Sequence, residues 1–283
     1  MDIRGYFDSI DHKWLMRMLK ERIVDRTILR LIGKWLKVGV LEEGRRIRNE
    51  LGVPQGAVIS PLLSNIYLHY VLDLWIRKKA SKALTGKIFL IRYADDFVIG
   101  CTSRQDAEKV WEMLPARLRE FGLELSQQKS RLIECGEDAY RRSKLTGSKL
   151  GTFDFLGFTH YMTRSRRGGV RLGRKTIGRR MRRTLVELND RLRKLRNVLP
   201  LRKLHKHLCR ILKGYYNYYG FAGNYATLNR FAYAVEKMWF KWLNRRSQRK
   251  SFSWEEFQDV LHRYPLPKPW ILKGYSWIYS ATM

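Results

Sequence analysis

Two adjacent carboxylates, Asp95 and Asp96, sit between short apolar runs at 88–92 (IFLIR) and 97–101 (FVIGC). Neighbouring ionised side chains repel, so one protonates or a cation offsets them. A turn aspartate also serves its own backbone hydrogen bonds, and for an isolated Asp-Asp pair that reading stays open. A third acid, Asp2 in DIRGYFD, widens the chemistry. Phosphoryl transfer with two Mg²⁺ ions needs oxygen ligands shared between ions about 4 Å apart. Carboxylates from two strands meeting at one sheet edge can supply them. Spacing alone does not bring Asp2 to Asp95.

The elements that must position these acids are legible in outline. The two apolar runs, separated by Tyr93-Ala94-Asp95-Asp96, predict two strands and a tight turn. Helical periodicity covers 12–22, through Leu15, Met18 and Leu19, and 27–38, through Ile28, Leu29, Leu31, Ile32 and Trp35. Ser60-Pro61 opens a long helix predicted over 60–78, and another spans 104–121. Residues 153–160 read as a strand in which Gly157 marks a bulge or a close backbone approach. After residue 175 the pattern is helical, over 175–197, 201–219 and 225–248.

Composition bounds the partner. The 283 residues carry 57 Lys plus Arg against 26 Asp plus Glu, a net charge of +31. Residues 161–250 hold 26 of the basic residues and only three acids, Glu187, Asp190 and Glu236. Acids that could form i,i+4 pairs are nearly absent there, so the excess calls for an external polyanion, and nucleic acid is the commonest. A set of solvated helix faces is the plainer alternative. The glycine-bearing run 164–175 is expected to be a hinge. Three scattered cysteines, Cys101, Cys135 and Cys209, argue against a disulfide scaffold and for a reduced, cytoplasmic setting. Residues 51–72 lack charge but contain Pro54, Gln55, Pro61, Ser64 and Asn65, so no membrane span is expected. The first residues do not form a signal peptide. His205 and His207 lack nearby Cys pairs, which argues against zinc.

Five stretches in order carry a resemblance. DIRGYFDSIDH resembles polymerase motif A, GVPQGAVISPLLSNIYL (52–68) motif B, and RYADDFVIG (92–100) motif C. FGLELSQQKSRLI (121–133) resembles motif D and FDFLGF (153–158) the primer grip. The chain resembles the reverse transcriptases encoded by bacterial group II introns, from residue 2 to about 271. The basic helices, with GYYNYYG (214–220) and WLNRRSQRKSFSW (242–254), resemble the family's thumb, or maturase domain X. The resemblance implies an α+β fold. A palm with an antiparallel sheet and packed helices would occupy 1–163, and an all-helical basic thumb 164–283.

It also implies roles. Asp2, Asp95 and Asp96 would be catalytic and would hold two Mg²⁺ ions. Lys129 would neutralise or protonate pyrophosphate, although alone it reads as a surface lysine. Phe7 would crowd the sugar 2′-carbon of the incoming dNTP, although it also suits a core. Gln55 and Gly56 would line the nascent base pair, unless they form a simple Pro-Gly loop. Phe155, Leu156 and Gly157 would form the primer grip. Arg179, Arg180, Arg182, Arg183, Arg245 and Arg246 would contact RNA. Tyr215, Tyr216, Tyr218 and Tyr219, with Trp239 and Trp242, could stack on bases, but their spacing favours helix packing for most. The implied partners are group II intron RNA, an RNA template, a DNA primer and dNTPs. The alternatives are a maturase that binds RNA without polymerising, and an inactive fragment. A retron-type or CRISPR-associated lineage fits the C-terminal half less well. Family members carry fingers motifs before motif A, whereas Met1 directly precedes Asp2 here. The expectation is therefore that the strand behind Asp2 is nearly absent and that its sheet neighbour has an unpaired edge. No Cys/His-rich nuclease module follows the thumb, so DNA endonuclease activity is not expected.

Overall fold

The hairpin forms where the alternation places it. Strands β3 (Ile88–Tyr93) and β4 (Asp96–Cys101) pair antiparallel, with Tyr93 opposite Asp96, so only Ala94 and Asp95 make the turn. Ala94 adopts φ 54°, a left-handed conformation costly for a residue with a Cβ. The computed structural model describes residues 1–37, 40–42, 45–47, 51–53, 57–165, 168–247 and 252–272. Its contacts divide the chain into two units, 1–134 and 135–283.

In the first unit α1 (His12–Lys20) starts on Asp11, whose side chain accepts from the Trp14 amide at 2.9 Å. Helix α2 (Arg26–Lys37) follows, then β1 (Val40–Glu42) and β2 (Arg45–Ile47), an antiparallel pair that sequence periodicity missed. The helix predicted over 60–78 is interrupted. Residues α3 (Ser60–Leu68) lead into a π turn at His69–Asp73, then α4 (Leu74–Lys78). A π turn shifts side-chain register and frees carbonyls. Arg117 on α5 (Arg104–Glu120) takes two of them, donating to the Tyr70 and Val71 carbonyls. The core beneath the hairpin contains Phe97, Leu15, Leu68, Leu72, Leu114 and Leu118, all essentially without solvent contact.

The N-terminal residues correct the expectation of an unpaired edge. Met1 and Phe97 exchange backbone hydrogen bonds at 2.8 and 3.3 Å. On the other side the Ser126 amide donates to the Asp2 carbonyl at 2.9 Å, the Arg4 amide to the Glu124 carbonyl at 2.8 Å, and Ile3 pairs antiparallel with Leu125. An extended segment presents groups to both neighbours, and residues 1–4 bridge β4 and 124–126 in this way. The buried Ile3 side chain anchors them.

The second unit opens with α6 (Glu137–Thr146), then a three-stranded antiparallel sheet of β5 (Phe153–Phe155), β6 (Phe158–Arg164) and β7 (Val170–Thr176) in that order. Two expectations change here. The single strand 153–160 is a hairpin with Phe155 opposite Phe158, so Gly157 lies in a turn and not in a bulge. The expected hinge overlaps β7: Gly173 falls on that strand, which pairs along its whole length with β6, while Gly168 and Gly169 precede it. After Thr176 the described chain is helical: α7 (Gly178–Leu195), α8 (Leu201–Tyr219), α9 (Tyr225–Leu243) and α10 (Trp254–Arg263). Leu188 and Leu192, Leu204, Leu208 and Leu212, and Leu228, Phe231, Val235 and Trp239 recur at helical spacing and form one core. A Ser253–Glu256 capping box starts α10.

Candidate active site

The hairpin turn and the N-terminal segment lie side by side through the Met1–Phe97 bonds, and this brings the acids together. Lys129 reports on the convergence. Its ammonium lies 2.7 Å from an Asp2 carboxylate oxygen and is held above the ordinary lysine value, first by that bond and charge, then by Asp96 and Asp95. The Asp2 side chain is 15% exposed and that of Lys129 73%, so the acid is set in the surface and the lysine reaches over it. A raised value keeps Lys129 cationic, which suits charge neutralisation better than proton donation.

Arg92 fixes the turn. Its guanidinium binds both Asp73 carboxylate oxygens at 2.7 Å and also donates to Asn65 Oδ1 and the Ala94 carbonyl, each at 2.9 Å. Arg92 and Asp73 escaped the sequence reading. A signal was present, because period-2 alternation places Arg92 on the inner side with Ile88 and Leu90, where a cation needs a partner.

Phe7 lies in a 3₁₀ turn (Tyr6–Asp8), half-buried, with its ring 5.4 Å from that of Tyr6. Its carbonyl accepts from the Val53 amide at 2.8 Å, and the Ile10 carbonyl accepts from Gly52 at 2.8 Å. Gly52 is required there: at φ 83° an added Cβ would lie 2.8 Å from the Phe7 carbonyl oxygen and the Asp8 Cα. The chain leading to residue 54 is thus docked beside Phe7. Gln55 and Gly56 themselves fall outside the described residues.

Among the described residues no group of three or more His, Cys, Asp or Glu is gathered closely enough to hold a metal. Mg²⁺ does not require such a cage, since it keeps several waters and takes one or two carboxylates plus substrate phosphates. The all-oxygen donor set of Asp2, Asp95 and Asp96 suits it. The Lys129 ammonium, 2.7 Å from Asp2, is a cation held against this donor set.

The second unit gathers a different group. Leu156 and Gly157 form the turn of the β5–β6 hairpin at φ 48° and 82°. The Tyr218 hydroxyl donates to the Leu156 carbonyl at 3.1 Å, and a Cβ on Gly157 would lie 3.2 Å from Arg180 Nη1 and 3.3 Å from the Tyr219 hydroxyl. Phe155 flanks the turn, and Arg179 pairs with Asp154 at 3.1 Å. Arg179, Arg180, Arg182 and Arg183 are exposed on α7, and Arg183 pairs with Glu187 at 2.8 Å. Arg245 is exposed, while Arg246 is partly covered and donates to the Leu199 carbonyl. Tyr215, Tyr216, Trp239 and Trp242 are buried, so they pack, whereas Tyr218 is half exposed. No helix among the described residues is long and apolar enough to cross a membrane.

Comparison with known proteins gives two matched stretches. Residues 1–160 match the reverse transcriptase (RNA-dependent DNA polymerase) family, and 176–261 match the group II intron maturase-specific domain. The chain is 28% identical to group II intron-encoded protein LtrA of Lactococcus lactis subsp. cremoris, over 83% of this chain and 50% of that protein. It is 26% identical to a 91 kDa protein in the cob intron of Schizosaccharomyces pombe, over 83% of this chain and 36% of the relative. It is 37% identical to protein YkfC of Escherichia coli K12, over 35% of this chain and 32% of the relative. The chain thus spans half or less of the length of these curated relatives.

Proposed function

The chain belongs to the reverse transcriptase family and carries a group II intron maturase-specific domain, and on that premise we propose that it is an RNA-directed DNA polymerase that also binds intron RNA for splicing. The observation that carries the reading is the backbone pairing of Met1 with Phe97, which sets Asp2 beside the turn that holds Asp95 and Asp96, with the Lys129 ammonium 2.7 Å from Asp2. In the proposed reaction the primer 3′-oxygen attacks the α-phosphorus of a dNTP, the α–β phosphoanhydride breaks, and pyrophosphate leaves. Asp2, Asp95 and Asp96 would hold two Mg²⁺ ions. Bound there, the ions supply activation of the 3′-hydroxyl and offset the triphosphate charge.

The remaining work falls to the chain's own groups. Lys129 neutralises charge on the departing pyrophosphate. The Phe7 ring excludes a ribose 2′-hydroxyl by sterics. Gln55 and Gly56 line the nascent base pair. The tip formed by Phe155, Leu156 and Gly157 holds the primer. Arg179, Arg180, Arg182, Arg183, Arg245 and Arg246 contact RNA phosphates. We place the functional boundary between palm and thumb at 163/164, inside the gap between the two matched stretches.

Primer extension on a primed RNA template with dNTPs and Mg²⁺ tests the reading. Synthesis by the unaltered chain, lost in Asp95→Asn with RNA binding kept, is the expected result. RNA binding without synthesis by the unaltered chain would overturn the polymerase reading and leave a binding maturase.

A further inference from the structure

We propose that Arg92 and Asp73 form a positioning clamp that sets the geometry of the turn carrying Asp95 and Asp96. The inference rests on the polymerase reading for its kinetic consequence but not for its structural one. Arg92 has five N–H donors, and four are engaged: two on Asp73, one on Asn65 and one on the Ala94 carbonyl. That last carbonyl belongs to the peptide joining Ala94 to Asp95. The guanidinium therefore grips the bond from which Asp95 hangs.

Three further features fit a clamp better than a surface ion pair. The Arg92 side chain is only 12% exposed, and both 2.7 Å contacts form a planar fork with one carboxylate. Asp73 stands in the π turn, a local irregularity in an otherwise helical run from Ser60 to Lys78, and Arg117 occupies the carbonyls of Tyr70 and Val71 there. Ala94 is held in the left-handed region at φ 54°, a conformation that persists only where its surroundings fix it. Asp73 also offsets the Arg92 charge. The pair can thus orient the turn without adding a full positive charge beside the acids.

Lysine cannot replace this arrangement, because an ammonium has three donors and no planar fork. In Arg92→Lys and in Asp73→Asn the turn should loosen while the buried core stays intact. Two readouts decide the matter on the full chain. Hydrogen exchange of the peptide covering residues 93–97 should quicken about tenfold or more, with the thermal midpoint near that of the unaltered chain. In primer extension kcat per folded molecule should fall roughly 10- to 100-fold, with the KM for primer–template within about twofold. The double variant should be no worse than the poorer single one, because the two residues act as one unit. Unchanged exchange at 93–97 would overturn the clamp, and so would activity loss that merely follows the folded fraction. If the unaltered chain makes no DNA, the polymerase reading fails while the exchange measurement still decides the clamp.

Discussion

Phe7 sits where two demands meet, since its ring packs partly on the core while its carbonyl accepts from the Val53 amide. Phe7→Ala keeps the backbone bond and removes the ring. We expect a higher ratio of ribonucleotide to deoxynucleotide incorporation, and a stability loss of about 1–2 kcal/mol, less than for a fully buried phenylalanine. Competition between rNTP and dNTP in single-nucleotide extension measures the ratio, and an unchanged ratio returns Phe7 to the core. That Asp2, Asp95, Asp96 and Lys129 are candidates was legible residue by residue, because motif spacing carries residue type. The Arg92–Asp73 pair was not, because its partners are 19 residues apart and a π turn sets the register of one of them.

Elements show a similar division. The β3–β4 hairpin was readable from alternation and a four-residue spacer, and the helices after Thr176 from their leucine spacing. The β5–β6 hairpin was not, because its turn places Leu156 at φ 48°, which no turn propensity favours. Gly157→Ala should cost about 1–3 kcal/mol at its left-handed φ, read as a lower denaturation midpoint. Asp106 anchors the base of the other hairpin. It is fully buried on α5 and accepts from the Thr85 and Gly86 amides at 3.1 and 2.9 Å. Burial pushes its carboxyl up, but those amides with the Ser103 and Thr85 hydroxyls outweigh it and leave it below the ordinary 3.8. A depressed carboxylate stabilises the fold above its unfolded value and stops doing so as pH falls through the folded one. Asp106→Asn should therefore be less stable than the unaltered chain at neutral pH, and the gap should narrow as pH drops below 3.8. Thermal melts across pH 2–7, a range chosen to bracket ordinary carboxylate titration at about 4, would show it. A gap independent of pH would contradict the assignment.

At the scale of the molecule, charge was the most legible property. The contacts part the chain after Glu134, so the β5–β6 hairpin belongs to the unit that holds the basic helices. No composition shift marks that point. The basic excess should show in salt dependence. The logarithm of RNA affinity should fall linearly with the logarithm of salt, and replacing Arg179, Arg180, Arg182 and Arg183 by Gln should flatten the slope by about 3. An unchanged slope would move the RNA contact elsewhere. The central claim is that the N-terminal segment and the hairpin turn build one divalent-ion site. Replacing Mg²⁺ with Fe²⁺ and adding ascorbate and peroxide generates hydroxyl radicals at the bound ion, which cut the nearby backbone. The account predicts cuts near both Asp2 and Asp95–Asp96, and in the adjoining segment around Ser126–Lys129, suppressed by excess Mg²⁺ and lost in Asp95→Asn. Cleavage at only one of the two segments, or cleavage that Asp95→Asn leaves untouched, would contradict it.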